Sequence, residues 1–283
     1  MKRLSSLQYI SDIHLEHKLN FPKIKRVEST LALLGDIGNP FKDNYKEFLK
    51  YTSNKWEHVF LLTGNHEYWQ QKYNMDDVDN KIRDLITLFP NITFLNNDKY
   101  EYENCTILGT TLWSQINNIP KRKFGDDLYI RVNNKSITYL GINSLHSSSV
   151  SWLQKEILNS SHLKKDKSDP ERIIIFRQSL KIDPKRIIIF RQSLKIDPKG
   201  IIILTHHLPS YKLIIDKYQK SHYKFYHDRF ASHLDYMICP PIKAWLCGHS
   251  HSINETNING VHCAINAYGY FPLANRTEKA IYF

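Results

Sequence analysis

Leu61-Leu62-Thr63-Gly64-Asn65-His66-Glu67 is an apolar run that stops at a glycine and opens into three polar groups able to handle a metal or a proton. The apolar part, Val59 to Thr63, is short and continuous, as expected of a central strand covered on both faces. Asn65 offers a neutral carbonyl oxygen to a cation. Adjacent side chains diverge, so His66 must point elsewhere, toward whatever such a cation holds. Glu67 reads equally well as a support for the site and as a surface acid.

The same grammar recurs on both sides of this run. Upstream, Leu33-Leu34-Gly35-Asp36-Ile37-Gly38 is a strand ending in glycine and a carboxylate, whose two oxygens can bridge two cations. Earlier still, Ser11-Asp12-Ile13-His14 ends the apolar run Leu7 to Ser11. In an extended chain residues i and i+2 share a side, which would aim Asp12 and His14 at one point. Downstream, Ile203-Leu204-Thr205-His206-His207 lets one imidazole bind metal while its neighbour faces substrate. In Trp245-Leu246-Cys247-Gly248-His249-Ser250-His251 the two-residue spacing again puts two imidazoles on one side. Any one of these reads as an ordinary cap, turn or surface histidine. Five polar clusters, each at the end of a buried-looking strand, do not, because α/β sheets collect their sites at the C-terminal strand ends.

Read together and in order, these motifs resemble the calcineurin-like metallophosphoesterases, whose pattern runs D-x-H, G-D-x-x, G-N-H-[D/E], a late His and G-H-x-H. The matching positions extend from Asp12 to His251, nearly the whole chain. The resemblance implies an α/β fold, a four-layer α/β/β/α sandwich of two facing mixed sheets flanked by helices. It implies one metal on Asp12, His14, Asp36 and His251, and a second on Asp36, Asn65, His206 and His249. It makes His66 the group that contacts the phosphoryl and protonates the leaving oxygen, with His207 touching phosphate. Two divalent ions in such a site activate water and clamp an in-line displacement. Mixed imidazole, carboxylate and amide ligands suit Mn, Fe, Co or Zn better than Mg. The expected activity is hydrolysis of a phosphomonoester or phosphodiester.

Two other readings use the same fold. A nuclease or nucleic-acid phosphodiesterase would gain from basic charge and need a groove of basic and aromatic residues. Tyr211 to Phe230, rich in Lys, Tyr and His, could supply it or be a solvated loop. A non-catalytic interaction scaffold would be expected to lose ligands or the acid histidine, and this chain keeps all of them. One departure is informative. Ile37-Gly38-Asn39-Pro40 follows Asp36, so the Asp-Arg of the phosphoprotein phosphatases is absent and that activity is not expected.

The formal net charge is +11 over 283 residues, favouring anionic partners such as phosphate esters or nucleic acid. Part of it has a local origin. Arg172 to Lys185, RIIIFRQSLKIDPK, is repeated letter for letter from Arg186 to Lys199. Each copy holds two Arg, two Lys and one Asp, so one copy contributes +3. Residues 172–199 read as a tandem duplication carried as a surface insertion in an otherwise single domain. Four cysteines without a C-x-x-C pair suggest reduced thiols in an intracellular, cytoplasmic-type compartment. No apolar run reaches the ~20 residues of a membrane span. Val78, Ile82, Leu85 and Phe89, with Asn74 as cap and Pro90 beyond, predict one helix. Val150, Leu153, Ile157 and Leu158 predict a second, beginning near Ser147 to Ser149. A third is predicted from Arg229 to Ile238.

Overall fold

A computed structural model describes residues 2–117, 123–160, 199–215, 222–270 and 278–283. The strands are β1 (Ser6–Ile10), β2 (Thr30–Leu34), β3 (His58–Leu62), β4 (Ile92–Phe94), β5 (Asp98–Glu101), β6 (Cys105–Thr110), β7 (Arg131–Val132), β8 (Lys135–Ser136), β9 (Gly200–Thr205), β10 (Ile242–Cys247), β11 (Ile253–Ile258), β12 (Val261–Asn266) and β13 (Lys279–Tyr282). The α-helices are α1 (Asp43–Lys55), α2 (Met75–Ile86), α3 (Gly125–Tyr129) and α4 (Tyr139–Ser160). One sheet has the order β13-β1-β2-β3-β4 and the other β11-β12-β10-β9-β6-β5, with β7 and β8 forming a small ribbon. Both large sheets are mixed: the first is parallel except for its edge strand β13, and the second has a parallel centre with antiparallel strands at both edges.

The apolar strands feed two cores at once, which explains their continuous hydrophobicity. In β2, Leu31 and Leu33 pack outward with Tyr45, Phe48 and Leu49 of α1 and Val78 and Ile82 of α2. Ala32 and Leu34 point the other way, between the sheets, where they meet Ile202 and Leu204 of β9 and Leu246 of β10. Ile201 and Ile203 of β9 in turn face Leu153 and Ile157 of α4. Alternate residues of one strand thus go to opposite faces, and each fully buried Leu or Ile is worth about 1.5–3 kcal/mol. The result is the four-layer sandwich expected from the motifs.

The helices depart from the sequence reading in places. α2 begins where expected, with Asn74 and Asp77 forming a reciprocal capping box. α4 starts at Tyr139, well before Ser147, because its buried stripe includes the polar residues His146, Ser149 and Glu156. No helix forms from Arg229 to Ile238. Residues 222–229 make a 3-10 helix, and the chain then pairs beside Leu208. Leu208 N donates to Phe230 O and Ser232 N to Leu208 O, so the backbone groups a helix would need are already engaged. α1 was not anticipated. The duplicated stretch, apart from Lys199, and residues 216–221 of the Lys/Tyr-rich segment lie outside the described residues. Among the described residues no helix is long and apolar enough to cross a membrane. All four cysteines are free and buried.

His58, far from the strand ends that carry the site, sets a pH dependence. It sits between Tyr102 Oη (2.8 Å) and Thr93 Oγ1 (2.9 Å). Burial, and secondarily Lys2, pull it down to about 4 from the ordinary 6.5. The unfolded chain therefore takes up this proton first, and stability falls as pH drops from about 6.5 to 4. After allowance for solvent screening the loss is of order 1–2 kcal/mol. Urea midpoints of the wild type at about pH 7 and about pH 5, on either side of the unfolded histidine's titration, should differ by more than those of His58→Gln. An equal drop in both would remove His58 as the cause.

Candidate metal centre

The C-terminal ends of parallel strands from both sheets meet at one place. β1 delivers Asp12 and His14, β2 Asp36, β3 Asn65 and His66, β9 His206, and β10 His249 and His251. Asp12, His14, Asp36, Asn65 and His206 are buried, and the two late histidines lie at the mouth. Asp12, His14, Asp36 and His251 bring one ligand atom each within 4.8 Å of one another, and Asp36, His206 and His249 do the same. Asp36 belongs to both groups.

Local backbone geometry does the aiming, and it is not the extended geometry anticipated from the two-residue spacing. Asp12 (φ 56°), His14 (52°), Asp36 (53°), His249 (67°) and His251 (48°) all occupy the left-handed region. Such residues cost about 1–3 kcal/mol each and persist only where surroundings impose them. Five of the seven expected ligands carry that strain. From that backbone His249 and His251 go to different groups.

Glu67 resolves as a buried clamp. Its carboxylate accepts from the backbone N–H of Gly64 (2.8 Å), Asp36 (3.0 Å), Ile37 (2.6 Å) and Gly38 (3.4 Å), tying the β2 and β3 loops together. Burial and neighbouring Asp36 push its pKa up. Gly64 has to be glycine: a Cβ there would overlap Asp36 Oδ1 and sit 2.6 Å from His206 Nε2.

Acceptor-only partners fix the histidine tautomers. His206 Nδ1–H donates to the carbonyl of Leu34 (2.9 Å) and His249 Nε2–H to the carbonyl of Arg229 (3.2 Å). That leaves His206 Nε2 and His249 Nδ1 as bare lone pairs, 3.2 Å apart. Asn65 Nδ2 donates to Asp126 Oδ1 (2.9 Å), which turns Asn65 Oδ1 toward His206 Nε2 at 3.2 Å. Asp36 Oδ2 lies 3.4 Å from the same nitrogen. Four acceptors converge with no donor between them. In the other group His14 Nδ1–H donates to Glu16 (3.0 Å), so His14 Nε2 faces His251 Nε2 at 3.0 Å. Asp12 Oδ1 is 3.4 Å from His251 Nε2. Ligands around one ion at ~2.0–2.1 Å sit about 3 Å apart, so the donor set fits divalent cations. The pull of Asp36 on positive charge at this place is strong: against the effect of burial, it raises the pKa of His206 to about 9.

His66 is buried at the cavity wall, stacked on Trp69 (centroids 3.7 Å apart) and joined by Nδ1 to Glu16 Oε1 at 3.1 Å. Burial works to lower its pKa, but Asp36 and Glu16 outweigh it and lift the ring to about 9. His207 does not reach the cavity. It is 1% exposed, faces the carbonyl of Thr111 and packs behind His249 (centroids 4.1 Å apart). Burial and His206 drive its pKa well down. Three site residues escaped the sequence reading. Glu16 bridges His14 and His66, and one more step of the Asp12-x-His14 spacing would have found it. Asp126 orients Asn65 and Trp69 and Arg229 holds His249; neither stands in a legible motif.

A profile of the calcineurin-like phosphoesterase family matches residues 9–252. An uncharacterized protein of Acanthamoeba polyphaga mimivirus, L509, is 29% identical over 291 aligned positions, covering 93% of this chain and 91% of that protein. Among solved structures, the phosphopantetheinyl hydrolase PptH from Mycobacterium tuberculosis superposes with TM-score 0.51 at 14% identity, covering 94% of this chain and 89% of that one. The protein TT1561 of Thermus thermophilus gives TM-score 0.48 at 9% identity, with 99% of each chain covered. At 14% identity the likeness to PptH speaks to the fold alone.

Proposed function

This chain belongs to the calcineurin-like phosphoesterase family, generally hydrolytic toward phosphate esters, and on that premise we propose that it hydrolyses a phosphate ester with two divalent transition-metal ions bridged by Asp36. The observation that carries the reading is the convergence of His206 Nε2, His249 Nδ1, Asn65 Oδ1 and Asp36 Oδ2 with no donor among them. Lone pairs at 3.2–3.4 Å repel unless a cation lies between them.

Asp12, His14, Asp36 and His251 would hold one ion, and Asp36, Asn65, His206 and His249 the other. When bound, two such ions make water a competent nucleophile at neutral pH and neutralise charge on a phosphoryl oxygen. The chain's own groups do the rest. Glu67 keeps the Asp36 and Asn65 loops in register. Asp126 holds the Asn65 amide with its oxygen inward. Glu16 accepts from His66 Nδ1, leaving Nε2 to deliver a proton to the departing oxygen. Trp69, flat on His66, restricts that ring to one orientation.

The test is direct. Purified protein is expected to contain close to two divalent ions, and to hydrolyse p-nitrophenyl phosphate or bis(p-nitrophenyl) phosphate after loading with Mn. Chelation should abolish turnover and lower the thermal midpoint, because ions that bind only the folded state stabilise it. Protein that binds neither Mn, Fe, Co nor Zn, and turns over neither ester class, would sink the reading.

A further inference from the structure

Arg229 carries a donor that the protein does not use. Its side chain is 9% exposed. Nη2 donates to Asp127 Oδ2 at 2.9 Å, and the guanidinium lies over the Phe124 ring at 4.0 Å. Nη1 is buried and has no hydrogen-bond partner among the described residues. Asp127 Oδ1, on the other side of the ion pair, is likewise buried without a partner, and leaving charged groups unmatched is costly. Arg229 lines a cavity of about 560 Å³ whose floor includes Asp36, His249 and His251. The same residue's carbonyl fixes the His249 tautomer, so guanidinium and metal groups are held in one register.

Five aromatic side chains also line it: Trp69, Phe124, Tyr226, Phe230 and Tyr270. Building on the phosphoesterase reading, we infer that this cavity takes a phosphate ester of mononucleotide size whose organic part carries a planar ring, with the Arg229 guanidinium as the cationic contact for its phosphate. Guanidinium geometry suits a phosphate oxygen, and aromatic walls favour a ring by offset or edge-on stacking. The volume falls within the roughly 300–1,000 Å³ of small-ligand sites. A single-stranded nucleic acid would need several basic groups following its backbone. Among the described residues that line the cavity, Arg229 is the one Lys or Arg, which favours the small ester over the polymer.

The experiment uses the metal-loaded full chain with adenosine 5′-monophosphate, β-glycerophosphate and p-nitrophenyl phosphate, together with Arg229→Lys and Phe230→Leu. Lysine can still reach Asp127 but lacks the second planar donor. Arg229→Lys should raise KM about tenfold or more on all three esters, with a smaller change in kcat and an unshifted thermal midpoint. Phe230→Leu should raise KM several-fold for the nucleotide, on the order of 3–10-fold, and leave β-glycerophosphate unaffected. Should Arg229→Lys fail to fold, the double variant Arg229→Met/Asp127→Leu removes the ion pair without stranding a charge and should show the same KM rise. Quenching of tryptophan fluorescence by adenosine 5′-monophosphate provides a readout independent of turnover. Quenching weakened by Arg229→Lys without hydrolysis of any ester would keep the pocket and discard the hydrolase. Hydrolysis with KM unmoved by either variant would overturn the pocket and keep the hydrolase. An oligothymidylate bound more tightly than the mononucleotide would overturn the assignment to a small ester.

Discussion

Asp36→Asn is expected to empty both metal positions and cut phosphate-ester hydrolysis by at least about 10²–10³-fold. The argument is geometric as well as electrostatic. Asp36 Oδ1 accepts the backbone N–H of His66 at 2.8 Å. An asparagine there would keep its carbonyl oxygen on that N–H, since its amide nitrogen cannot accept. Its NH2 would then occupy the position of Oδ2, which lies 3.4 Å from His206 Nε2 and 3.8 Å from His14 Nε2. The substitution thus removes a negative charge from both groups and points two N–H bonds at the place where each cation belongs. Metal analysis of the purified variant and titration with Mn followed by thermal shift are the measurements. The wild type should gain stability with Mn, and the variant should not. Wild-type metal content together with wild-type turnover would show that Asp36 is not the shared ligand.

The central strands were legible because each is buried on both faces and therefore writes itself as an unbroken apolar run, while the two-sheet arrangement came from the family resemblance. β2, β3, β9 and β10 were all readable from this alone. What the sequence hid were elements whose burial is partial or polar. β11, with exposed and half-buried residues over most of Ile253–Ile258, has no such run. α4 buries His146 and Ser149, and its stripe became visible only at Val150. The ligands were legible from their motifs, but the way they converge was not. Five left-handed residues turn the side chains, and that conformation depends on tertiary restraint rather than on local preference. It also separates His249 from His251. The buried supports were least legible. Glu67 was undecided until its four backbone donors were seen, and Asp126 and Arg229 lie in stretches whose sequence resembles any polar turn.

His66→Ala should cost about 10²–10⁴ in rate on alkyl phosphates, with the loss shrinking on nitrophenyl esters, whose leaving group departs without a proton. Metal content should be nearly unchanged, because the contact His66 makes with Asp36 is through its backbone N–H and survives in alanine. Trp69 should also stay in place, since its Nε1–H donates to Asp126 at 2.8 Å. Glu16→Gln separates the acid's chemistry from its mere presence. Glu16 Oε1 faces His14 Nδ1 and His66 Nδ1 at 3.0 and 3.1 Å, and glutamine can keep an oxygen there while losing the charge. Glu16 is one of the groups that raise His66, after Asp36. Removing its charge must therefore lower the pKa of His66, so the alkaline limb of the rate profile should move to lower pH on alkyl esters. The nitrophenyl profile should move less. Equal losses on the two ester types in His66→Ala, or an alkaline limb unmoved in Glu16→Gln, would take the proton-donor role away from His66 and leave it a phosphoryl contact held in place by Glu16 and Trp69.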